Sequence, residues 1–192
     1  MPSLIPASLS ILTLCLSAWA GAASCPDLEG MRSSLVNSSA FDPSLLKGLY
    51  YEQLYHDIAQ VGASCQTLDV TDASADGLSM DFKVKYGPIP FTITELYAPG
   101  SSQGVYTKKA DMPGGDLLQL PSVVVDVTEG EGGYDAFTIY SCLEIGGQAV
   151  RELVIATREP EAAKEDLESM VQVARDAGVD VDLDSLKPVK PC

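Results

Sequence analysis

Five cysteines, Cys15, Cys25, Cys65, Cys142 and Cys192, and a single histidine, His56, are the residues of this 192-residue chain whose types could do covalent chemistry. A thiolate is a nucleophile only when it is unpaired and activated, and His56 has no Gly-x-Ser-x-Gly elbow to serve. No Cys-x-x-Cys pair or histidine cluster offers a zinc site. Asp180, Asp182 and Asp184 alternate with Val179, Val181 and Leu183. This run lacks the central glycine and closing glutamate of a calcium loop, so it reads as a short half-buried strand or an extended tail. The sequence therefore predicts no catalytic residue, no metal ligand and no cofactor.

The cysteines must then be structural, which depends on the compartment. Leu4 to Ala22 is apolar and small, the first charged residue is Asp27, and Ala20-Gly21-Ala22-Ala23 meets a small-x-small cleavage rule. Residues 1–23 are expected to be a secretory signal peptide, although the segment has no Lys or Arg; a signal anchor is the alternative. No membrane span is expected once the signal is removed. Its removal takes away Cys15 and the one tryptophan, Trp19, and leaves residues 24–192 as a single domain with Cys25, Cys65, Cys142 and Cys192. An even set of cysteines in an exported chain reads as two disulfides. Asn37-Ser38-Ser39 is a glycosylation acceptor triplet. The formal net charge of -15 repels phosphate backbones and anionic membranes, so no nucleic acid is expected as a partner. A macromolecular partner is left unspecified.

The elements that position these residues are mostly strands. From Gly48 onward the pattern predicts eight: Leu49 to Tyr55, Gln66 to Thr71, Leu78 to Lys85, Phe91 to Tyr97, Val105 to Lys109, Ser122 to Thr128, Tyr134 to Glu144 and Ala149 to Thr157. Turn chemistry separates them, as at Gly87-Pro88 and Gly146-Gly147. Sequential strands on short turns close as an up-and-down barrel or stack as a sandwich. Leu78, Met80, Phe82 and Val84 alternate with Ser79, Asp81, Lys83 and Lys85, which places one face in the interior. Val123, Val125 and Val127 form a second inward row, and Phe137 and Ile139 share a face. Cys142 has the opposite parity and points outward. Phe91 and Ile93 are also placed inward, although Glu95 shares their parity and a bulge would have to intervene. Leu153, Val154, Ile155 and Ala156 are apolar on both faces, so something must cover that strand. Glu161 to Ala177, with Leu167, Met170, Val171 and Ala174 at helical spacing, is the predicted cover.

Gly48-Leu49-Tyr50-Tyr51-Glu52, the strand Tyr140-Ser141-Cys142, Arg158 at the end of the last barrel strand and the terminal Cys192 together resemble the lipocalin family, most closely its apolipoprotein D branch. The resemblance covers Cys25 to Cys192. It implies a mainly β fold, an eight-stranded antiparallel up-and-down barrel with a C-terminal α-helix packed outside. It also implies disulfides between Cys25 and Cys142 and between Cys65 and Cys192. Lipidating Cys25, as the faint lipoprotein box at Ala22-Ala23-Ser24-Cys25 would require, would strand Cys142. Tyr50 stands where the family has a tryptophan closing the barrel floor, with Arg158 lying over it. The family's second motif, Thr-Asp-Tyr, is not legible around Thr128-Glu129 and Tyr134-Asp135.

The function implied is a secreted or extracytoplasmic carrier of one small hydrophobic ligand, of the fatty acid, sterol, retinoid, carotenoid or bilin class. Its expected contacts are Tyr50, Met80, Phe82, Val84, Phe91, Ile93, Val123, Val125, Phe137 and Ile139. The interior is expected to be apolar with few charges. A solid core made of the same side chains would instead leave a scaffold whose acidic surface or open-end loops bind a macromolecule. A lipocalin-type isomerase would need a spare thiol, and the implied pairing leaves none.

Overall fold

Residues 24–190 and 192 are described by a computed structural model, so the signal segment expected at 1–23 lies outside the described residues. The barrel strands are β1 (Gly48–His56), β2 (Ala63–Ser74), β3 (Gly77–Tyr86), β4 (Ile89–Pro99), β5 (Val105–Ala110), β6 (Leu120–Gly130), β7 (Gly133–Ile145) and β8 (Gln148–Thr157). Each pairs antiparallel with its sequence neighbour, and β1 pairs with both β8 and β2, which closes the cylinder. All eight strands fall where alternation and turn residues place them, and most run one to three residues further.

One helix, α1 (Lys164–Asp176), packs on the outside. Met170 lies on Ile155, while Ala174 joins the layer around Leu153, Tyr140 and Cys142. The last chain segment is less regular than a strand. Val179 and Leu183 are buried in that same outer layer, and Lys187–Pro188 (β9) then pairs with β1 at Leu54 and Tyr55. The tail thus fills the gap where β1 and β2 splay, and the Cys65 N–H donates to the Lys190 carbonyl at 3.0 Å.

Two disulfides pin these outer segments. Cys25 bridges to Cys142 with 5.7 Å between the Cα atoms, and Cys65 bridges to Cys192 with 4.9 Å. Cys142 points out of the barrel, so the N-terminal strap reaches it across the outer wall.

One inward row is corrected. Val123 stands opposite Tyr140 and Val124 opposite Ile139, but a bulge then shifts the register so that Val127 faces Phe137. Val124 and Val127 therefore look inward, whereas Val123 and Val125 pack outside with Met31, Tyr140 and Cys142. A bulge inserts one residue and reverses the parity of the strand beyond it. Because both faces of this strand are covered, all three valines at 123–125 are buried, and alternation could not reveal the reversal.

Candidate ligand-binding site

The barrel floor is built around Tyr50. Its ring is fully buried, meets Phe137 edge-on at 4.6 Å between centroids, and donates its hydroxyl to the Tyr134 carbonyl at 2.8 Å. The Arg158 guanidinium lies 3.9 Å from the Tyr50 centroid, a cation–π contact. Its nitrogens donate to the carbonyls of Lys47, Leu49 and Tyr134. Gly48 makes this possible: at φ +114° a Cβ would stand 2.5 Å from an Arg158 nitrogen. Tyr134, which sequence reasoning left unassigned, completes the floor. It stacks on Phe41 at 5.7 Å and accepts the Asp42 N–H at 2.9 Å. A buried tyrosine soon after a glycine-rich turn was the available signal.

Above the floor the inner wall carries Met80, Phe82, Val84, Phe137 and Ile139, all buried. The register sets Ile93 opposite Phe82 and Phe91 opposite Val84, so both stand on the inner face without an intervening bulge. Phe91 is nonetheless 47% exposed, because β4 pairs with β5 only from Glu95 onward and the tip of the β3–β4 hairpin stands beyond that wall.

The interior is not apolar throughout, which corrects the expectation of few charges. Glu95 is opposite Met80 and faces the lumen, and so do Lys108, opposite Tyr97, and Glu152. Lys108 from β5 reaches across to Glu152 on β8 and also meets Glu95 at 3.3 Å; these side chains are only 14–18% exposed. Tyr97 donates its hydroxyl to Glu95 at 2.8 Å. Glu52, 3% exposed, accepts one bond from Gln60 at 3.4 Å, and Gln66 donates to Gln60 at 3.1 Å. Glu52 Oε2 and Gln66 Oε1 have no partner among the described residues. These groups enclose a cavity of about 30 Å³, with Asp57 and Gln60 on one side and Phe82, Phe137 and Ile139 on another. A larger hollow of about 550 Å³ lies outside the barrel beside the start of α1, and none of the inward side chains lines it.

Burial, reinforced by Glu95 and Asp57, pushes the Glu52 carboxyl up to about 8. Burial opposes the charge on Lys108, but Glu95, Tyr97 and Glu152 together hold its ammonium well above the ordinary range. A carboxyl raised on folding binds more protons in the folded than in the unfolded chain between its ordinary value and about 8, so its contribution to stability falls as pH rises through that window. Glu52→Gln should therefore melt with the parent at pH 5 and be more stable than it at pH 9, by a few kcal/mol at the order of magnitude. Thermal melts at the two pH values measure this; an equal difference at both would mean Glu52 is not the group responsible.

No family model matches the chain, and no curated protein matches it in sequence. Solved structures do share its architecture. Insecticyanin from the tobacco hornworm Manduca sexta aligns over 87% of this chain and 86% of its own, with a TM-score of 0.64 at 12% identity. The fold is that of the lipocalins. Apocrustacyanin C1 covers 78% of this lipocalin-fold chain and 79% of its own at a TM-score of 0.61, and lobster apocrustacyanin A1 covers 76% and 77% at 0.59, both again at 12% identity. Identity this low carries the barrel and the helix position but no site residue.

Proposed function

We propose that the protein is a secreted carrier that holds one small hydrophobic molecule in the barrel lumen. One observation carries the reading. Among the described residues the large exposed hydrophobic side chains gather at the mouth, as Ile58, Val61, Ile89, Phe91, Met112 and Leu117 do, while only Leu45 and Leu49 stand at the floor end. Such a collar is costly on a surface that binds nothing, and it leads down to the apolar inner wall. Tyr50, Met80, Phe82, Val84, Phe91, Ile93, Phe137 and Ile139 are the proposed contacts; Val123 and Val125 are excluded by their outward packing.

Secretion is supported by the two disulfides and the apolar leader at 1–23. Asn37 is exposed on the strap and is the proposed glycan acceptor. A non-enzymatic role is supported by the pairing of Cys25, Cys65, Cys142 and Cys192, which leaves no thiolate for an isomerase among the described residues. Placement on the apolipoprotein D branch rests on the motif residues alone. The 30 Å³ cavity favours a second reading, a filled scaffold acting through its acidic surface. The carrier must open by moving side chains at the mouth.

Titration with a polarity-sensitive fluorescent lipid decides between them. The carrier takes it up with one-to-one saturation, and Ile93→Arg, which sets a charge on the inner wall near the mouth, weakens uptake at least about tenfold. No uptake by the parent protein at micromolar concentration would remove the carrier reading.

A further inference from the structure

The lumen holds three carboxylates and one ammonium. Glu95 and Glu152 share Lys108, so the chain supplies its own cation to two of them. Glu52 receives none: it lines the 30 Å³ cavity, its one partner is the Gln60 amide, and its buried Oε2 has no donor among the described residues. The neighbouring glutamines do not make up the deficit: Gln66 donates to Gln60, Gln60 gives Glu52 one long bond at 3.4 Å, and Gln66 Oε1 is itself without a partner among the described residues. Unpaired acceptors in a buried site ask for a donor. Among the described residues the charged groups that face this space are Glu52 from β1, Asp57 from the β1–β2 loop, Glu95 from β4, Lys108 from β5 and Glu152 from β8. Even with Glu52 protonated, three acids against one base leave a negative field in a low-dielectric enclosure, where a cation gains most.

We propose that the lumen selects an organic ammonium, a small amine with an apolar or aromatic body, whose N–H groups donate to Glu52 and whose body lies along Phe82 toward Phe91 at the mouth. The volume suits this division. An ammonium group is the size of a water molecule, and about 30 Å³ accommodates it. The apolar body then follows the β3–β4 hairpin outward past the end of β5, where Phe91 and Ile89 are exposed. The Lys108 bridge is the chain's own demonstration that carboxylates of this lumen hold an ammonium. Burial keeps Glu52 protonated in the absence of a cation, so arrival of an ammonium expels that proton to solvent, and binding releases protons at neutral pH.

The inference rests on the carrier reading, and the test separates the two. The chain from Ser24 onward contains no tryptophan, so an indole ligand can be followed by its own fluorescence anisotropy. Tryptamine, tryptophol and indole-3-propionate present the same ring with an ammonium, a hydroxyl and a carboxylate. Tryptamine is expected to bind at least about tenfold more tightly than either of the others. Calorimetry in two buffers of different ionisation enthalpy should show proton release for tryptamine and none for tryptophol. Glu52→Gln should bring the tryptamine-to-tryptophol ratio toward one, while Glu165→Gln on the exposed helix face leaves the ratio as it is. Equal or tighter binding of the carboxylate, or an unchanged ratio in Glu52→Gln, overturns the amine assignment and leaves the carrier standing. If neither the indoles nor the fluorescent lipid binds, the carrier reading falls and this one with it.

Discussion

Tyr50→Ala is expected to cost about 3–5 kcal/mol of stability, the range for removing a large buried ring. The ring is fully buried between Phe137 and the Arg158 guanidinium, so its removal opens a cavity in the floor. The loss also uncovers Arg158, whose charge is then tied to carbonyls but no longer lies over an aromatic face. Tyr50→Phe separates packing from hydrogen bonding. It keeps the ring and removes only the bond to the Tyr134 carbonyl, which Arg158 still satisfies, so its cost is expected near 1 kcal/mol. Urea unfolding followed by far-ultraviolet circular dichroism reads both, and a Tyr50→Ala cost below that of Tyr50→Phe would mean that Tyr50 does not close the floor.

Lys108→Ala should destabilise the chain by about 3–5 kcal/mol at neutral pH, because it leaves Glu95 and Glu152 buried with no cation between them. Lys108→Met fills the same space and isolates the charge effect from the cavity. Burial already raises the Glu152 carboxyl against the pull of Lys108, and either variant removes that pull. The folded chain then binds more protons than the unfolded one, and stability rises as pH falls. Most of the Lys108→Met deficit should therefore disappear between pH 7.5 and pH 4.5. A deficit equal at both pH values would show that Lys108 acts through packing and not through its charge.

The parts of this molecule that were legible in sequence are those where one physical pattern acts alone. Leu78, Met80, Phe82 and Val84 alternate cleanly because β3 has one face in the core and one in water, and the structure buries all four. Leu153 and Ile155 are apolar on the outer face because α1 and the tail cover them, and that surplus pointed to the cover. Tyr50 and Arg158 were found through a motif, and their contact follows from the glycine two residues before the ring.

The polar half of the lumen was hidden for a different reason. Charged residues in strands are ordinarily read as facing water, and no pattern singled out Lys108 or Glu152 as inward. Glu95 carried the warning: its parity matched Phe91 and Ile93, and the inconsistency was resolvable either by a bulge or by an inward charge. The structure takes the second course, with Lys108 and Tyr97 as the partners that make it affordable. In β6 the opposite happened. A real bulge at 124–126 left no trace in the sequence, because strap, tail and barrel bury both faces.

A native mass spectrum of the protein purified from its natural source tests the central claim most directly, since a carrier should be isolated with cargo in its barrel. The expected result is a disulfide-bonded chain carrying one bound species of a few hundred daltons that leaves on denaturation. A bare chain that then fails to take up either a fluorescent lipid or an indole amine would contradict the claim, and the acidic surface would become the place to look for function.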